Sequence, residues 1–109
     1  ANLNYYLFNG NVDLRKGIFR LCESIREEMS LDPSDASNVY MFMSRNRKVV
    51  KILHYERGFY VLYEKRPVMG RFKKPVFDEV SKCYRIQWSD MAYLTESIVV
   101  DKMYVSPKD

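Results

Sequence analysis

Between Val39 and Arg66 the apolar residues come in three bursts, V-Y-M-F-M, V-V-K-I-L-H-Y and F-Y-V-L-Y, cut by two short polar segments. Their alternation and their content of Tyr, Val, Ile, Phe and Leu predict a three-stranded meander: Val39 to Ser44, Val49 to Glu56 and Phe59 to Arg66. Asn46-Arg47 makes the first turn, since Asn tolerates left-handed backbone angles. Arg57-Gly58 makes the second, with Gly supplying positive φ. Two-residue turns fix the register, so that Met43 faces Val50, Met41 faces Ile52, Val39 and Val61 face His54, and Tyr63 faces Ile52.

That register divides the side chains. Val39, Met41, Met43, Val50, Ile52, His54, Phe59, Val61 and Tyr63 form a core face. Tyr40, Phe42, Lys51, Leu53, Tyr55, Tyr60, Leu62, Glu64 and Arg66 form the other, with Lys51 opposite Glu64 as a cross-strand pair. A slip of one residue would exchange the faces. The second face has three readings. It is a half-covered sheet packed by the C-terminal segment, with Lys51 and Arg66 reaching water along their stems. It is a nucleic-acid surface, where aromatics stack and cations hold phosphates. Or it is a protein interface.

Elsewhere the pattern changes period. Asn4 to Phe8 reads as a short strand, and Asn9-Gly10-Asn11 as a turn. Leu14, Ile18, Leu21, Cys22, Ile25 and Met29 fall on one helical stripe and predict a long helix from Asp13 to Met29, capped by Asp13 or Asn11 and stopped before Pro33. Two features of that helix break local rules: Gly17 lies inside it, and Arg15, Lys16 and Arg20 precede Glu23, Glu27 and Glu28, against the macrodipole. Asp32 to Asn38 is a polar link. Pro67 to Pro75 is an exposed loop with a basic-aromatic tetrad, Arg71 to Lys74. Lys82 to Trp88 predicts a fourth main strand, with Trp88 in the core. Ser89 caps a short helix through Glu96, with Met91, Tyr93 and Leu94 available for packing, and Ile98 to Val105 is a final extended segment. The fold class is α+β: a mostly antiparallel, curled β-sheet, tending to a half-barrel, with the long N-terminal helix on one face and a short C-terminal helix. The 109 residues suffice for one domain, residues 1–109, with a real core.

Charge sharpens the picture. The net +4 hides an uneven distribution: residues 38–75 hold ten of the eighteen Lys and Arg residues and only Glu56 and Glu64 as acids, a formal +8 between two flanks of −2 each. Such a block suits a polyanion or an acidic protein face. No apolar run approaches a membrane span, and no signal-peptide pattern opens the chain, so a cytoplasmic location is expected. Two distant Cys, Cys22 and Cys83, and one His make no zinc site, and free buried thiols are expected. No catalytic constellation emerges. Asp13, Glu56, Glu64 and Asp90 are the only plausible carboxylate donors for a metal-dependent nuclease, and Glu56 and Glu64 fall on opposite faces. His54 sits among Val39, Val61 and Ile52, as a structural histidine would. The Gly residues are isolated and form no phosphate-binding loop. A non-enzymatic protein without cofactor or metal is expected.

Specific segments carry a family resemblance. D-L-R-K-G at Asp13 to Gly17, R-N-R-K-V-V-K-I-L at Arg45 to Leu53, G-F-Y-V-L-Y-E-K-R at Gly58 to Arg66 and G-R-F at Gly70 to Phe72 together resemble the accessory protein encoded by the second open reading frame of bacterial insertion sequences of family 66, often labelled TnpB. (An unrelated RNA-guided nuclease shares that label.) The resemblance covers about residues 5–96; Pro75 to Cys83 and the tail from Ile98 depart from the pattern. It implies a protein that assists a DDE-type transposase and brings no catalytic role. Residue by residue, it falls on Asp13, Arg15, Lys16, Gly17, Arg45, Arg47, Lys51, Gly58, Phe59, Lys65, Arg66, Gly70, Arg71 and Phe72. Combined with the charge map, the candidate contacts to DNA or to a protein partner are Arg15, Lys16, Arg45, Arg47, Lys48, Lys51, Lys65, Arg66, Arg71, Phe72, Lys73 and Lys74. Two functions stay open: DNA binding, including the element's ends, through a basic patch, and an adaptor docking on the transposase.

Overall fold

The computed structural model describes residues 2–9, 13–15 and 17–99. The meander forms in the expected register. β2 (Asn38–Met43) pairs antiparallel with β3 (Val50–Glu56), Met43 opposite Val50 and Val39 opposite His54; β3 pairs with β4 (Phe59–Lys65), Lys51 opposite Glu64. Both turns bend through left-handed residues: Arg47 at φ 59°, Arg57 at 47° and Gly58 at 88°. The β2–β3 tip is tied internally, since the Ser44 hydroxyl donates to Asn46 Oδ1 (2.8 Å) and accepts from the Lys48 and Val49 amides.

The N-terminal strand β1 (Asn4–Phe8) lies inside the sheet. It runs parallel to β2 and antiparallel to β6 (Cys83–Ile86), giving the order β4-β3-β2-β1-β6. Three of the four pairings are antiparallel, as expected, and the fourth makes a β1–α1–β2 unit. The sheet is open, bounded by β4 and β6. A separate ribbon joins β5 (Arg71–Phe72) to β7 (Ile98–Val99).

Both sheet faces are covered, and the aromatic face receives α1 rather than the C-terminal segment. α1 (Ile18–Met29) packs Leu21, Cys22 and Ile25 against the aromatic face, where Tyr40, Phe42 and Leu53 are fully buried. Burying a Leu, Ile or Phe side chain contributes roughly 1.5–3 kcal/mol, which decides the matter over leaving Tyr40 and Phe42 free to stack on bases. Tyr6 lies over Tyr40 and Phe8 over Phe42, at 5.8 and 5.7 Å between ring centres, so the parallel pair also aligns its aromatics. On the other face Leu7, Val39, Met41 and Val50 meet Phe72 and, from α2 (Trp88–Glu96), Met91 and Leu94. Phe59 and Tyr63, on the edge strand, remain exposed.

Several boundaries differ from the periodicity. The helix starts at Ile18 and has 12 residues, so Gly17 is its N-cap in extended conformation rather than an interior residue. Asp13 instead closes a turn by accepting the Arg15 amide at 3.0 Å. Arg15 therefore precedes the helix, while Gly10, Asn11 and Lys16 lie outside the described residues. Leu14 extends the apolar stripe because it reaches the same core without being helical. The second helix begins one residue before Ser89, held by a capping box between Gln87 and Asp90. Trp88 is exposed (63%), not core. The last strand ends at Val99, and the rest of the expected extended segment, 100–105, lies outside the described residues. Both thiols are free; Cys22 is buried and Cys83 half-buried. No helix among the described residues is long and apolar enough to cross a membrane.

Candidate nucleic-acid interface

β1 and β2 run parallel, so their carboxyl ends lie side by side. A cleft of about 540 Å³ opens there, walled by Asn9, Ser44, Arg45, Arg47, Arg71 and Lys74, with Leu7, Phe8, Met43, Pro75 and Phe77 completing its lining. Among the described residues, four cations and no carboxylate line it. Crevices beyond the carboxyl ends of parallel strands are common ligand sites, because the chain there leaves the sheet in divergent directions. A second concavity of about 490 Å³ shares Ser44 and Arg45 with the first and adds Asp13, Arg15 and Arg66. The tip of the β2–β3 hairpin thus stands between two adjoining basic hollows.

The twelve candidate residues separate into distinct groups. Arg45, Arg47, Arg71 and Lys74 converge on the main cleft, and Lys48 is exposed on the same tip. Arg47 is half-buried; its guanidinium donates to the Phe72 carbonyl at 3.2 Å. Arg15 is exposed and paired with Asp13 (3.0 Å), and that carboxylate raises the pKa of its guanidinium. Arg66 donates to Glu64 at 2.7 Å, which with the nearby Lys51 holds the Glu64 carboxyl below its ordinary range. These two cations are partly neutralised by neighbouring carboxylates.

Four candidates are engaged elsewhere. Lys51 is buried: its ammonium donates to the Leu14 carbonyl and sits 3.5 Å from Glu64, so it stitches the loop before α1 onto the sheet instead of reaching water. Phe72 is 1% exposed and belongs to the core. Lys65 points away from the cleft and donates to the Thr95 carbonyl at the end of α2 (3.1 Å). Lys73 also turns towards α2. Its ammonium donates to the Tyr93 hydroxyl (3.0 Å) and lies 5.7 Å from the ring centre, and this cation lowers the Tyr93 pKa. Lys16 lies outside the described residues.

Sequence reasoning missed Asn9, Ser44 and Phe77; Asn9, at the end of β1, joins the basic residues through the parallel pairing of β1 with β2. Pairing across 34 residues leaves no local mark. It also missed the far end of β1, where Leu3, Tyr5, Arg85 and the exposed Trp88 border another hollow. The His54 ring nitrogens contact the Ala36 carbonyl (2.9 Å) and Glu56 (3.2 Å), fastening the 32–38 link to the sheet.

A protein-family model described as IS66 Orf2 like protein (TnpB_IS66) matches residues 3–104, running through Pro75 to Cys83 and into the tail. No curated protein and no solved structure matches the chain.

Proposed function

This chain belongs to the IS66 Orf2-like family of insertion-sequence accessory proteins, and on that premise we propose that it assists transposition by holding DNA through the phosphate backbone, without catalysis of its own. The observation carrying this reading is the main cleft, on whose wall Arg45, Arg47, Arg71 and Lys74 converge. Guanidinium groups suit phosphate because their planar fork donates two parallel hydrogen bonds. Contacts of this kind position a protein on DNA and carry little sequence information.

The test is fluorescence anisotropy with DNA from the element's terminal repeat and a scrambled counterpart, each as duplex and as separated strands, at two salt concentrations. Each phosphate neutralised adds about 0.7–0.9 to the log–log salt slope. Arg45→Glu and Lys74→Glu should lower both affinity and slope. If no DNA form binds at low salt, the reading fails.

A second reading, docking on the transposase, has its own observation. Trp88 is exposed beside Tyr5 and Arg85, at the end of β1 opposite the cleft. Trp, Tyr and Arg are the residues most often central to protein interfaces. Co-purification of the two proteins, with Trp88→Ala as the disrupting variant, tests it separately from DNA binding.

A further inference from the structure

We infer that the main cleft takes an unpaired DNA strand rather than a duplex, seating a base against its apolar lining while the surrounding cations hold the flanking phosphates. The inference rests on the DNA reading above and specifies its ligand. Its first support is the composition of the cleft. A site for a duplex backbone requires cations alone, because phosphates and sugars cover the outside of the double helix. This cleft also presents Met43, Pro75 and Phe77. An unpaired nucleotide offers the complementary combination, a charged backbone joined to a flat apolar ring.

The second support is the fixed plane of Phe77. Its ring stacks on Tyr84 with centres 3.7 Å apart and planes 2° apart. Tyr84 is itself pinned, its hydroxyl donating to the Glu79 carbonyl (2.6 Å) and accepting from the Ser81 amide (2.7 Å). An aromatic side chain held this way needs no ordering when a base arrives, so less binding energy is lost to immobilisation.

The third support is what the molecule offers a duplex. Direct readout places a helix or a ribbon in the major groove. The exposed side of α1 carries Glu23, Glu27 and Glu28 beside Arg20 and Arg26, and α2 bears Asp90 and Glu96 with no cation. Neither helix has a face that a groove lined by phosphates would attract. The second hollow, sharing Arg45 and Ser44, instead prolongs the main cleft along a path that a flexible strand can follow.

The experiment compares four labelled ligands of equal length at one salt concentration: a thymidine strand, the same strand with its central residues abasic, a mixed-sequence strand, and a blunt duplex. The expected result is that both intact strands bind at least ten-fold more tightly than the duplex, and that the abasic strand loses at least five-fold. A 2-aminopurine placed centrally should change its emission on binding, and Phe77→Leu should diminish that change while Lys74→Glu weakens every ligand. Equal or tighter binding of the duplex overturns the inference, as does an abasic strand that binds as well as the intact one; both results leave the broader DNA reading in place. Failure of all four ligands removes that reading as well.

Discussion

Arg47 and Phe72 hold each other from both directions: the Phe72 amide donates to the Arg47 carbonyl at 2.7 Å, and the Arg47 guanidinium donates to the Phe72 carbonyl at 3.2 Å. The hairpin tip and the 67–75 loop are therefore one unit, with the Phe72 ring buried beneath it. Phe72→Ala should destabilise the protein by about 3–5 kcal/mol, and Arg47→Ala by about 1 kcal/mol. The double variant should depart from additivity, as directly bonded residues do. Urea unfolding of the three variants checks this; simple additivity would separate the tip from the loop.

Lys51 is expected to contribute to stability and not to binding. Lys51→Ala leaves the Leu14 carbonyl without its partner and should destabilise by about 1–3 kcal/mol. DNA affinity, measured well below the melting temperature, should stay within two-fold of the parent. A loss matching that of Arg45→Glu would return Lys51 to the binding surface.

Tyr40 makes stability depend on pH at the alkaline end. Its hydroxyl donates to the Asp32 carbonyl (2.9 Å) and accepts from Asn38 (3.1 Å), and burial pushes its pKa from 10.0 up to about 12. The folded state resists ionisation, so this contribution is fully present below pH 10 and disappears as pH rises towards 12. Tyr40→Phe should cost about 1 kcal/mol at neutral pH and show a flatter decline above pH 10. Parallel alkaline limbs for the two proteins would assign that decline to other groups.

Gly70 and Gly58 provide a matched comparison. Both have positive φ, 77° and 88°, but a Cβ at Gly70 would collide with the Val99 carbonyl while one at Gly58 meets open space. Gly58→Ala should cost about 1 kcal/mol of backbone strain, and Gly70→Ala clearly more, because the β5–β7 ribbon must shift. Thermal melts that rank them the other way would show that the ribbon yields easily.

The meander was legible because its turns are local: Arg57-Gly58 fixes one register, and the polar Asn46-Arg47 pair the other. The basic tip and loop were legible for the same reason. Burial was harder to read. Leu14 and Ile18 share helical spacing, but the helix begins only after Gly17, since Leu14 fills its place in the core from a turn. Phe72 sits between Arg71 and Lys73 in a loop expected to be exposed; in the two-residue strand its ring turns into the core, while Arg71 is half-buried and Lys73 exposed. The face of Tyr40, Phe42 and Lys51 is open in the sequence to a packed, a nucleic-acid-binding or a protein-binding reading; in the structure α1 covers the first two and the Leu14 carbonyl receives the third. These outcomes depend on contacts between distant segments, which a local pattern does not record.

The interior place of β1 has a consequence for synthesis. Y-Y-L-F emerges early, but its partner on one side starts at Asn38 and the other only at Cys83. Until the last quarter of the chain is available, one row of amides and carbonyls along this apolar strand stays open to any other extended segment. A protein cut before Cys83 should accordingly aggregate even with its helix and meander intact, and its yield in the cell should depend on how quickly translation delivers the closing strand.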